Sequence, residues 1–110
     1  MNQLLSGKKV IITGGNQGLG LEIARKFILS GADLMICARN KNMLEDAKDE
    51  LIKLASKEQK IISQVADISL ESNVEIVVAK TLKDLGGCHV LINNAGIYGP
   101  KDKIELIEWK

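Results

Sequence analysis

Nothing in this sequence is apolar over the roughly 20 consecutive residues that a membrane-spanning helix requires, and no five like charges stand together. The formal net charge is +1. A balance this even gives no general attraction to nucleic acid or to an acidic membrane surface, so neither is expected as a partner. The opening MNQLLSGKKV has neither the basic head nor the apolar core of a secretion signal, which makes the cytoplasm the expected compartment. Cysteine is scarce. Cys37 and Cys88 are far apart, each within an apolar run. No second Cys or His stands at metal-ligand spacing from either, since the only histidine, His89, adjoins Cys88 directly. Both are expected to be buried, reduced thiols, with no metal site. Aromatic residues are scarce too, with one Phe, one Trp and one tyrosine, Tyr98.

What is present is an alternation of two patterns. Short, largely apolar strand patterns fall at Lys9–Thr13, Leu34–Ala38, Ile61–Ala66 and His89–Asn93. Between them lie stretches with apolar residues at helical spacing. Residues 18–29 carry Leu19, Ile23, Ala24, Phe27 and Ile28 on one stripe, with Gly31 as the stop signal. Residues 41–56 carry Leu44, Ala47, Leu51, Leu54 and Ala55, and residues 70–85 carry Leu70, Val74, Val77, Val78, Leu82 and Leu85. Ser69 is the expected N-cap of the third helix, and Gly86-Gly87 its end. Non-alternating strands separated by amphipathic helices mean a parallel sheet covered on both faces. The expected fold is α/β, a Rossmann-like doubly wound parallel sheet in truncated form, with about four strands and three to four helices. Residues 1–110 are expected to form one partial dinucleotide-binding domain. Ligands of such sheets bind outside the carboxyl ends of the strands.

The segment TGGNQGLG, residues 13–20, follows the first strand and opens the first helix. Backbone N–H groups at a helix start, with their share of the helix dipole, suit a pyrophosphate. Gly14 and Gly18 keep side chains out of the turn and out of the ligand's approach, and Gly20 allows helix and strand to pack closely. The spacing is not G-x-G-x-x-G but T-G-x-x-x-G-x-G.

That spacing resembles the cofactor loop of the short-chain dehydrogenase/reductase family. Asn93-Asn94-Ala95-Gly96, after the fourth strand, resembles the family's NNAG motif, and Ala66-Asp67-Ile68-Ser69, after the third, resembles its adenine-contacting segment. The likeness runs from Leu5 through Trp109. It implies that Gly14, Gly15, Asn16, Gln17, Gly18, Leu19 and Gly20 cradle a dinucleotide, with Asn16 and Gln17 near the adenosine ribose or its phosphate. Asp67 would accept from the adenine amine while Ile68 borders the ring. Asn94, Ala95 and Gly96 would pass close to the nicotinamide side. Asn93 is assigned a structural hydrogen bond across the sheet.

Sites that select NAD place an acidic residue at the end of the second strand to bind the ribose hydroxyls. Here that position is Ala38, followed by Arg39. A guanidinium attracts a 2′-phosphate, which a carboxylate would repel. This points to NADP rather than NAD. Gln17 is the counter-signal, because NADP-using relatives often carry a basic residue there.

The family's proton-transfer pair is a tyrosine with a lysine four residues on, the lysine lowering the tyrosine pKa. Residue 102 is Asp, and Tyr98 follows NNAG too closely to be that tyrosine. No catalytic residue is therefore assigned. The tail Ile104–Lys110 resembles the start of the family's next helix. The resemblance implies the N-terminal part of an oxidoreductase that interconverts a small carbonyl and an alcohol, from a parent that forms a homo-oligomer, and the 110-residue chain alone is expected to be inactive. A non-catalytic nucleotide-binding module and a half-enzyme completed by another chain remain open.

Overall fold

The computed structural model describes residues 4–94 and the backbone of residues 105–108. The chain runs β1 (Lys9–Thr13), α1 (Gly18–Leu29), β2 (Asp33–Ala38), α2 (Lys41–Leu54), β3 (Ile61–Val65), α3 (Glu71–Leu85), β4 (Val90–Asn93) and β5 (Glu105–Glu108). The strands form one sheet in the order β3-β2-β1-β4-β5. The first four are parallel, and their order reverses direction after β3, so β1 pairs with both β2 and β4. No helix among the described residues is long and apolar enough to cross a membrane.

The apolar strands earn their continuous patterns by being covered on both faces. All six residues of β2 are buried. Successive side chains point to opposite sides, and the core divides accordingly. Val10, Ile12, Leu34 and Ile36 pack with Ala24 and Ile28 of α1 and Leu44, Ala47 and Leu51 of α2. Ile11, Met35 and Cys37 pack on the other face with Val77 and Leu85 of α3. Burying each of the larger aliphatic side chains stabilises the fold by about 1.5–3 kcal/mol relative to exposure. Both cysteines are free and buried, as expected. Burial pushes the Cys37 thiol up to about 12. Burial also raises Cys88, only partly offset by its contact with the Val90 carbonyl.

Three sequence expectations are corrected. First, Glu105–Glu108 is not helical: it forms β5, antiparallel to β4, with Val90 opposite Glu108 and Asn93 opposite Glu105. The free edge of β4 offers unpaired N–H and C=O groups, and pairing satisfies them. Second, the N-cap of α3 is Leu70, without a side-chain bond, rather than Ser69. Ser69 lies one residue ahead of that position, and its hydroxyl faces back to Asp67, donating to Oδ1 at 2.7 Å. Third, the helical stripes are narrower than expected. Leu19, Leu54, Leu70 and Leu82 are exposed. Gly20 is buried in α1 beside Ala24 and Ile28, and Thr81 is buried in α3, with its hydroxyl donated to the Val77 carbonyl.

Candidate functional site

Parallel register brings the carboxyl ends of four strands to one edge, with Thr13 opposite both Cys37 and Asn93, and Ala38 opposite Val65. The glycine loop starts there and is held from beneath. The Gly14 N–H donates to the Cys37 carbonyl at 2.8 Å. Gly15 is buried, and a Cβ on it would stand 2.9 Å from Ile36 Cγ2. A Cβ on Gly20 would stand 2.1 Å from the Gly14 carbonyl oxygen and 2.8 Å from Asn94 Nδ2. This close approach is what the sequence assigned to Gly20.

Gly18 differs. A Cβ there would meet nothing within 4 Å, but its φ of +55° favours glycine. The side of the loop facing away from the protein is thus open. Gln17, the N-cap of α1, has extended backbone and makes no side-chain cap bond, and the first turn holds no acidic residue. The helix ladder begins with Leu21 N–H donating to the Gln17 carbonyl. The N–H groups of Gly18, Leu19 and Gly20 lie ahead of it, so the positive end of the helix dipole meets open space. Asn16 is half-buried, and Gln17 and Leu19 are exposed along this lip. Among the described residues the cradle therefore fits a pyrophosphate: N–H groups ahead of the helix ladder, no acidic residue in the first turn and no atom within 4 Å of a Cβ at Gly18.

Across the loop, the Thr13 hydroxyl donates to Asn93 Oδ1 at 2.9 Å and accepts the Asn94 N–H at 2.8 Å. Asn93 thus makes the bond across the sheet that the family likeness implied. Asn94 lies beside Gly20, while Ala95, Gly96 and Tyr98 are outside the described residues. His89 serves the opposite end of the sheet, its Nδ1 accepting the Lys9 N–H.

At the other flank, the Ala66 N–H donates to the Ala38 carbonyl at 2.9 Å, fastening the end of β3 to the end of β2. The next residues are Asp67 and Arg39. Arg39 is exposed, and its side chain forms no ion pair or hydrogen bond among the described residues. Asn40 beside it is committed to α2, its Oδ1 accepting the Met43 N–H. Asp67 Oδ1 accepts both the hydroxyl and the N–H of Ser69. These two bonds hold its carboxyl below the usual carboxylate range against a smaller opposing effect of burial, and the charge of Arg39 adds to the lowering. Ile68 is half-buried against the core on the α3 side. Two residues that sequence reasoning did not single out belong to this frame. Thr13 carried a signal, a hydroxyl inside an apolar strand. Asn73 carried a weaker one, an amide in the first turn of a helix.

The family model described as short chain dehydrogenase matches residues 8–110. Glucose 1-dehydrogenase of Gluconobacter oxydans (strain 621H) is 36% identical over 107 residues, covering 96% of this chain and 40% of that protein. L-fucose dehydrogenase of Bos taurus is 31% identical over 100 residues, covering 91% of this chain and 34% of that protein. Among solved structures, L-sorbose reductase from Gluconobacter frateurii, complexed with NADPH and L-sorbose, superposes with a TM-score of 0.82 at 31% identity, over 92% of this chain and 38% of that one. With its motifs, strand order and glycine packing in agreement, the chain belongs to the short-chain dehydrogenase family. It spans less than half the length of these relatives.

Proposed function

We propose that this chain is the dinucleotide-binding portion of an NADP(H)-dependent oxidoreductase that interconverts a carbonyl and an alcohol. The observation that carries the reading is the end of β2. Ala38 stands where a ribose-binding carboxylate would be, and the exposed guanidinium of Arg39 forms no ion pair or hydrogen bond among the described residues, although its charge is felt at Asp67. The open amino end of α1 would hold the pyrophosphate, Arg39 the 2′-phosphate, and Asp67 with Ile68 the adenine. A bound nicotinamide supplies the hydride acceptor or donor. The residues of this chain bind and orient; none of its 110 forms a Tyr-x-x-x-Lys pair to move the substrate proton.

Equilibrium titration of the chain with NADPH and NADH, followed by nicotinamide fluorescence, tests the reading. A charge-assisted hydrogen bond contributes about 1.5–3 kcal/mol, so NADPH should bind roughly tenfold or more tightly than NADH. Arg39→Ala should remove that difference, and Ala38→Asp combined with it should reverse the preference. Equal affinities in the unaltered protein would refute the NADP assignment.

A further inference from the structure

Asn73 lies in the first turn of α3, yet its side chain turns away from the helix. Its Oδ1 accepts the Asp67 N–H at 2.9 Å. The Asp67 carbonyl accepts the Leu70 N–H at 3.0 Å, and Asp67 Oδ1 accepts from Ser69. One residue earlier, Ala66 is tied to Ala38, the neighbour of Arg39. Asp67 is therefore fixed at its N–H, its carbonyl and one carboxylate oxygen. Oδ2 forms no hydrogen bond among the described residues. Of these ties, only the one from Asn73 connects the segment to the side chain of a helix packed on the sheet. Without it, the half-buried Asp67 N–H would turn to water and the segment could swing about the Ala66 anchor.

We infer that Asn73 is a positioning residue for the adenine half of a bound dinucleotide: by holding the Asp67 N–H, it fixes the turn that presents the Asp67 carboxylate and Ile68 beside Arg39. The inference rests on the dinucleotide reading above. Asn73 touches no ligand itself and acts through Asp67.

The test compares the unaltered chain with Asn73→Ala and Asn73→Asp, the latter keeping an acceptor oxygen at a helix start, where a negative charge is favourable. Adenosine 2′,5′-bisphosphate is the probe, its binding measured by calorimetry. Amide hydrogen exchange at Asp67 is followed without ligand, and nuclear Overhauser contacts between the adenine protons and the Ile68 methyls with it. Asn73→Ala should bind about fivefold more weakly, the loss equivalent to one net hydrogen bond. It should also exchange the Asp67 amide faster and lose the adenine contacts to Ile68. Asn73→Asp should recover all three. Undiminished binding with intact adenine contacts in Asn73→Ala would overturn the inference while leaving the dinucleotide reading in place. Failure of the unaltered chain to bind the probe would overturn the NADP reading, and the inference with it.

Discussion

Gly18 and Gly20 stand two positions apart and differ in what a methyl group would meet. At Gly20 it would strike the Gly14 carbonyl, which is backbone and cannot rotate away. Gly20→Ala should therefore push α1 off the sheet, at a cost of about 1–3 kcal/mol. Thermal unfolding should show this as a fall in Tm of several degrees. At Gly18 there is space but an unfavourable φ, at a cost of about 1–2 kcal/mol. Gly18→Val should leave the circular dichroism spectrum native while abolishing dinucleotide binding, because the added side chain occupies the open face of the loop. Normal binding by Gly18→Val would contradict the phosphate-cradle assignment. Asp67 supplies a different residue-level test. Its folded-state pKa lies below the ordinary carboxylate value, with the Ser69 bonds as the largest cause. The stabilisation it brings is present above the unfolded pKa and is lost as pH falls through the folded one. Ser69→Ala should move the Asp67 carboxyl resonance to titrate at higher pH, nearer an unperturbed Asp, and should flatten the acid side of the stability profile. Ser69→Ala keeps the backbone N–H bond, so an unmoved titration would show that the Ser69 hydroxyl is not the largest cause of the lowering.

Between elements, β1 and β4 are joined beyond their backbone ladder by the hydroxyl of Thr13, which donates to Asn93 and accepts from Asn94. Thr13→Val keeps the shape and removes both bonds, leaving polar groups of β4 unsatisfied. The expected cost is about 1–3 kcal/mol, with faster amide exchange concentrated at Asn94; uniform exchange across the sheet would argue against this link. The elements themselves were largely legible. The runs that end at Thr13 and Ala38 became β1 and β2 because unbroken apolar sequence suits only a strand buried on both faces. The glycines of residues 13–20 placed the loop, since each position constrains backbone that any side chain would disturb. Residues 105–108 were misread because ELIE is too short to show a period, and its conformation is set by pairing with β4, a contact distant in sequence. Ser69 does not cap because the N-cap lies one residue later, at Leu70, whose carbonyl accepts the Val74 N–H, and that boundary is visible only once the turn from Asp67 is built. Asn73 escaped notice for the same reason: its partner lies outside its helix.

At the scale of the molecule, the two ends of the sheet are tied differently. Away from the glycine loop, His89 accepts from Lys9, Lys9 pairs with Asp33 at 2.8 Å, and Asp33 accepts the Lys60 N–H, so side chains cross from the start of β4 to that of β3. The loop end carries Thr13, Arg39, Asp67 and Asn94. The sequence has no Tyr-x-x-x-Lys pair, so under the proposed function the 110-residue chain should oxidise no NADPH when offered a panel of ketones. Turnover by protein free of contaminating enzyme would contradict that. The β4 edge away from β1 is covered by its pairing with β5. The loop's attachments also bear on how fast a ligand is captured. Gly14 is bonded to β2, Gly15 is wedged against Ile36, and Gly20 rests on the Gly14 carbonyl. Under the proposed function, a loop fastened at three points has little chain entropy left to lose on binding. Association should then follow diffusional encounter in a single kinetic phase, with no slower step in which the loop closes over the phosphates.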